Sequence, residues 1–170
     1  MRKKSFWLLL TLCLCLSIAA MAATNTPKLS YNAMELNMPA AALMVYVPAD
    51  MDTLEGDEEA SDLGFRFNCY SDTFDLTVWV HDSREMSLKD YGAFYAKRNG
   101  EKASPETING FPVQYLSSEE KPDAFEYIVA DPDSNPPDAV YVLSFTCDGE
   151  ADVKLAEEII NTLARNDIES

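Results

Sequence analysis

A single histidine, His81, stands in the whole chain, which excludes every mechanism or metal site that needs two. Glycine is scarce as well. None of the six glycines falls at the spacing of a phosphate-binding loop or a dinucleotide fold, so no nucleotide cofactor is expected. Basic side chains are few: 13 Lys and Arg face 29 Asp and Glu. A nucleic-acid backbone has to be neutralised by Lys and Arg, and anionic headgroups repel an acidic surface. The chain therefore has neither nucleic acid nor a membrane surface as a partner. Of four cysteines, Cys13 and Cys15 belong to an N-terminal apolar run, which leaves Cys69 and Cys147. Neither has another Cys or a His at ligand spacing, so they do not read as metal ligands.

What is present first is an export signal. Arg2, Lys3 and Lys4 precede an uncharged apolar run over 6–19, and Ala20-Met21-Ala22 supplies the small residues that signal peptidase cuts after. Residues 1–22 are expected to be a cleaved signal peptide of bacterial type, sending the protein to a periplasmic or extracellular location without a retained membrane anchor. Without Arg2, Lys3 and Lys4, 10 basic side chains remain against 29 acidic ones, a net charge of −19. Export places Cys69 and Cys147 in an oxidising space, and both fall on the apolar parity of predicted strands. They are expected to pair as a disulfide, with two free buried thiols as the rival reading. Closing that loop would stabilise the fold by about 4.5 kcal/mol in the chain-entropy model.

Residues 23–30 form a polar stretch without a core pattern and read as a mobile tether. A single domain is expected over 31–166, with a short tail at 167–170. Apolar alternation predicts strands over 42–47, 63–70 and 73–81. In the last of these Phe74, Leu76, Val78 and Val80 oppose Asp75, Thr77, Trp79 and His81, and Trp79 implies that the second side is covered too. The segment between 48 and 62 reads as an acidic loop. Ser87 and Asp90 form a capping box for a helix over 88–99 that Gly100 ends. Asn109-Gly110 is a hairpin signal, because both residues tolerate positive φ. Strands over 124–130 and 139–147 flank a Pro-rich loop, and an amphipathic helix over 151–164 closes the chain.

This order gives an α+β fold: an antiparallel sheet of about six strands packed by two main helices, in an α/β/α sandwich-like arrangement. It resembles the PsbP-like fold family. The resemblance rests on a first strand ending in Pro48, the strand Leu76-Thr77-Val78-Trp79-Val80 and the helix opened by Ser87-Leu88. It continues through the turn Ile108-Asn109-Gly110-Phe111-Pro112, the pair of strands around Ile128 and Leu143, and the closing helix with Ile159-Ile160. It covers nearly all of the chain after residue 22. It implies a non-catalytic accessory, binding or assembly protein, and it lends no catalytic residues.

Three constellations remain. His81 is followed by Asp82 and Ser83, but neighbours on a strand alternate faces and no nucleophile-elbow sequence exists, so a strand-end histidine is the expectation. Asp131-x-Asp133-x-Asn135 copies the first ligand positions of a calcium loop, yet Pro136 replaces the glycine and Val142 the last glutamate. Solvated acids are expected there and in the run from Asp50 to Asp62, with weak calcium binding as the alternative. Arg84, Lys89, Lys97, Arg98 and Lys102 reverse the local sign of charge, either as a helix end and solvated side chains or as a docking patch for an acidic partner. The functional expectation is an exported, non-catalytic binding or accessory protein for a protein or small-molecule ligand, without cofactor or metal. The alternatives are a hydrolase with an unrecognised carboxylate site and a calcium-dependent adhesion or stabilisation module.

Overall fold

The alternation of two central strands sets the architecture. Phe74, Leu76, Val78 and Val80 of Phe74–Asp82 (β5) and Tyr141, Leu143 and Phe145 of Ala139–Cys147 (β9) are apolar toward one side, while Trp79, Val140 and Val142 are apolar toward the other, so each side of the sheet they build needs its own cover. The structure, a computed structural model, describes residues 28–166; the expected signal peptide, residues 23–27 of the tether and the tail at 167–170 lie outside the described residues. In chain order the remaining elements are β1 Ala33–Met38, β2 Leu43–Pro48, β3 Asp52–Glu55, α1 Glu58–Asp62, β4 Phe65–Tyr70, α2 Leu88–Asn99, β6 Lys102–Ile108, β7 Phe111–Ser118, β8 Lys121–Ala130, α3 Glu150–Ile160 and β10 Ala164–Arg165.

Seven strands form one antiparallel sheet in the order β3-β4-β5-β9-β8-β7-β6, and β1-β2-β10 form a second, smaller one. The large sheet is the middle layer. On one side the small sheet and α3 bury Leu43, Val45, Val47, Ile159 and Ile160 against Phe74, Phe125, Leu143 and Phe145. On the other α2 lays Tyr91 and Ala96 on Leu116, Ile128, Val140 and Val142, with Trp79 beside them. The expected second covering of the β5 face is thereby present. Ser87 caps α2 by accepting from the Asp90 amide, and Gly100 ends it at φ 73°. Gly92 lets this helix sit close: a Cβ there would stand 2.7 Å from Gln114 Cγ.

The α+β class holds, while the strand count does not: among the described residues there are ten strands rather than about six, in two sheets. Strand β1 escapes notice because Ala-Met-Glu-Leu-Asn-Met carries no β-branched residue. The acidic segment is no plain loop, since β3 pairs with β4 and Asp57 caps α1 through the Ala60 amide. Helix α3 stops at Ile160 instead of 164, because Thr162 receives the Tyr46 amide at 2.7 Å and Ala164–Arg165 pair with β2. The Asn109-Gly110 turn forms as expected, with φ of 51° and 87°. At the start of the described chain Ser30 is not a free tether residue, since its amide and hydroxyl both donate to Glu158.

The expected Cys69–Cys147 bond is absent, and both thiols are free and buried. Their parity is right, as both face the same core, but strand order separates them. Cys69 stands opposite Leu76 and Cys147 opposite Phe74, on the two flanks of β5. Two strand spacings amount to about 9.6 Å, beyond the roughly 7 Å of Cα separation a disulfide spans. Burial pushes both thiols up to about 11, which keeps them protonated and unreactive.

Candidate functional site

Strand β5 carries His81 to the edge of the region that α2 covers, and a cleft of about 560 Å³ opens there. Its walls are the end of α1, Leu63 and Gly64, the first half of β4, the end of β5 with the following loop, and the outer flank of α2. Gly64 adopts φ 95° and its missing Cβ would fall 2.5 Å from the Val80 carbonyl, so only glycine admits this close crossing. A bulge between Phe65 and Phe67 shifts the β4 register. Phe65 is thereby turned onto Trp79, edge to face at 5.5 Å, and Arg66 lines the cleft.

His81 is half-buried, and its Nδ1 shares a 2.8 Å hydrogen bond with the Tyr91 hydroxyl. Tyr95 packs on the imidazole at 5.8 Å and stacks with Tyr91 at 6.1 Å. Burial, followed by the nearby Arg98 charge, holds the His81 pKa below its ordinary value, so the ring is neutral at pH 7. The Ser-His-Asp neighbours do not assemble. Buried Ser83 gives its hydroxyl to the Pro137 carbonyl, and the Asp82 carboxylate accepts the Arg84 amide at 2.5 Å. The loop then runs through two consecutive left-handed residues, Arg84 and Glu85, at φ 57° and 58°. Each costs about 1–2 kcal/mol for a side chain other than glycine. The turn sets the Arg84 guanidinium over the Phe94 ring, 5.1 Å from its centre.

Of the basic cluster in the sequence, Arg84 and Arg98 line the cleft, while Lys89, Lys97 and Lys102 do not. Arg66 arrives from another part of the chain. Three of the four arginines after residue 22 thus surround one opening, and among the described residues none of the three makes an ion pair. The fourth behaves otherwise. Arg165 pairs with Asp131 and Asp133, placing a guanidinium on the calcium-like loop. The Asp131 carboxyl is held below its usual range chiefly by the Asp133 amide, with Ser134 and Arg165 adding to it. That loop is an internal clamp.

Behind Tyr95 lies a pair that sequence reading missed. Glu126 accepts the Ser144 hydroxyl at 2.6 Å and the Tyr95 hydroxyl at 3.4 Å. Glu101 follows the helix end. One buried oxygen of each carboxyl, Oε2, has no other partner. Burial, reinforced by the Glu126 charge, pushes Glu101 from its ordinary 4.5 up to about 7, and burial also raises Glu126. The upward shift lets Glu101 hold a proton that it can offer to Glu126. Alternation could not reveal the pair, because Glu101 sits in a turn and Glu126 in a strand 25 residues later. No group of three or more His, Cys, Asp or Glu able to hold a metal ion occurs among the described residues, and no helix there is long and apolar enough to cross a membrane.

No protein-family model matches the chain, and no curated protein matches it. Solved structures similar to it include one from Bacteroides thetaiotaomicron, 21% identical with a TM-score of 0.47. That match covers 77% of this chain, which spans only 47% of the Bacteroides protein. The Ran-binding protein Mog1p of Saccharomyces cerevisiae is 13% identical with a TM-score of 0.47, covering 81% of this chain and 97% of that one. Cyanobacterial PsbP (CyanoP) from Synechocystis is 10% identical with a TM-score of 0.49, covering 78% of this chain and 92% of that one. A PsbP structure is thus among those similar to this chain.

Proposed function

We propose that the protein is an exported, non-catalytic binding or accessory protein, periplasmic or extracellular, whose protein or small-molecule ligand occupies the cleft beside His81. One observation carries this reading. The cleft has the size of a ligand site, yet the imidazole within it is tied to Tyr91 and Tyr95 and has neither Ser83 nor Asp82 as a partner. A site built for chemistry would join its one imidazole to a nucleophile or an orienting carboxylate. Here the ring serves as part of an aromatic wall. The carboxyl pair Glu101 and Glu126 does not line the cleft, whose two carboxylates are Asp62 and Asp82, and Asp82 is engaged by the Arg84 amide.

Protein recovered from its native exported fraction should begin at or near Ala23 and carry a ligand that is released unchanged on denaturation. Phe94→Ala, which opens the wall that Arg84 covers, should lose that ligand while still folding. Turnover of the released compound by wild type, abolished in a normally folded His81→Ala variant, would overturn the non-catalytic reading.

A further inference from the structure

A chain with 29 carboxylates has ample means to pair its arginines, and Arg165 shows that it does so where structure requires it. Arg66, Arg84 and Arg98 are exposed, converge on one cleft and make no ion pair with a described residue. Arg66 does give one Nη to the Ser61 and Phe65 carbonyls, at 2.7 and 3.0 Å, which fixes the side chain in place. Arg84 is fixed by its ring partner. Guanidinium groups pre-set in this way match the fork of an oxyanion and lose little freedom on binding it.

The charge count selects the anion. Asp62 and Asp82 also line the cleft, so three guanidinium groups face two carboxylates and leave a single positive charge. Helix α2 ends at Asn99 beside the same wall, so its negative pole adds to the two carboxylates. A monoanion is balanced under these conditions. A dianion such as a phosphate monoester would meet an uncompensated charge, in a protein that is strongly acidic overall. The remaining wall is aromatic, with Tyr91, Phe94 and Tyr95 within 6.2 Å of one another in successive ring contacts, and exposed Leu63 lies at the lip.

Resting on the reading of this cleft as the binding site, we propose that it takes a carboxylate attached to a planar apolar body. The carboxylate lies among Arg66, Arg84 and Arg98 and the body lies on the aromatic wall. Such a group is supplied either by a free aromatic acid or by the C-terminal carboxylate of a peptide ending in an aromatic residue.

Purified protein without its leader is titrated by calorimetry with 3-phenylpropionate, its amide, phenyl phosphate, and a Phe-ending hexapeptide with free or amidated C-terminus. The acid, the free peptide or both should bind at least tenfold more tightly than the matching amide, and phenyl phosphate should bind no more tightly than 3-phenylpropionate. Selectivity in the peptide arm alone assigns a chain terminus, and selectivity in the acid arm a small molecule. Arg66→Gln and Arg98→Gln should each weaken the selected probe at least fivefold with an unchanged urea midpoint, whereas Lys89→Gln should leave it alone. Equal binding of acid and amide in both arms, preference for phenyl phosphate, or insensitivity to the arginine variants would overturn the proposal. Because defined probes meet purified protein, these outcomes hold whether or not native material carries a ligand. The proposal and the accessory-protein reading therefore fail separately.

Discussion

The two sides of the seven-stranded sheet are built from different materials. Toward the small sheet and α3 the contacts are almost wholly apolar, with Phe145 stacked on Phe125 at 5.4 Å and tilted against Phe74 at 6.2 Å. Toward α2 the apolar patch is smaller and is bordered by polar groups that pair with one another: His81 with Tyr91, Tyr95 and Ser144 with Glu126. On the first side Tyr31, Cys69, Tyr127 and Cys147, in or against the core, are pushed further above neutrality by burial and stay uncharged near pH 7. The other gives up some stability to keep titratable and hydrogen-bonding groups next to an opening.

Truncation on the first side should produce the largest effect. Phe145→Ala removes a ring that is 1% exposed and should lower the free energy of unfolding by about 3–5 kcal/mol in urea denaturation. A loss no larger than that for a surface residue would erase the contrast between the sides. On the α2 side the limiting quantity is space. Gly92→Ala drives a methyl into Gln114 and should cost about 1–3 kcal/mol by overpacking. Adding Gln114→Ala should recover part of that loss, and a double-mutant cycle reads the coupling directly.

Glu101 makes the difference between the sides visible in pH. Its folded value of about 7 lies above the ordinary 4.5, so between these limits the folded chain holds more proton than the unfolded one. Its contribution to stability is present at pH 4 and is lost as pH rises toward 7. Glu101→Gln should therefore raise the melting temperature at pH 8 relative to wild type, with no gain at pH 4.5; equal gains at both values would remove Glu101 from the acid pair. The effects expected at the Arg165 clamp are smaller. Asp133→Asn loosens an exposed ion pair and should cost under about 1 kcal/mol, and millimolar calcium should leave the wild-type melting temperature in place. Dithiothreitol should change nothing, since denatured, unreduced protein lacking residues 1–22 should titrate as two thiols.

Much of the α2 side was legible in the sequence. The Ser87 cap, Gly100 and the apolar spacing located the helix, and the position of Trp79 opposite the main core signalled a covered second face. Alternation also assigned Cys69 and Cys147 correctly to one face. What alternation cannot give is the order of strands within a sheet, and it was the insertion of β5 between the cysteines that removed the expected bond. The cleft was half visible for a related reason. Arg84 and Arg98 lie close together in sequence, but Arg66 reaches them through a bulge that leaves no signature in its neighbours. The Arg165 clamp depends on a two-residue strand too short to leave a pattern.

The strand order has a consequence for how the molecule behaves in a crowded solution. Among the described residues its large sheet ends in two unpaired rims, β3 and β6, and an unpaired rim is a template for a second copy. The β3 rim is four residues long and bears Asp52 and Glu55, and the β6 rim carries Pro105, which has no N–H to offer a newcomer, followed by Glu106. Both rims thus carry residues that disfavour continuation of the sheet by a second copy.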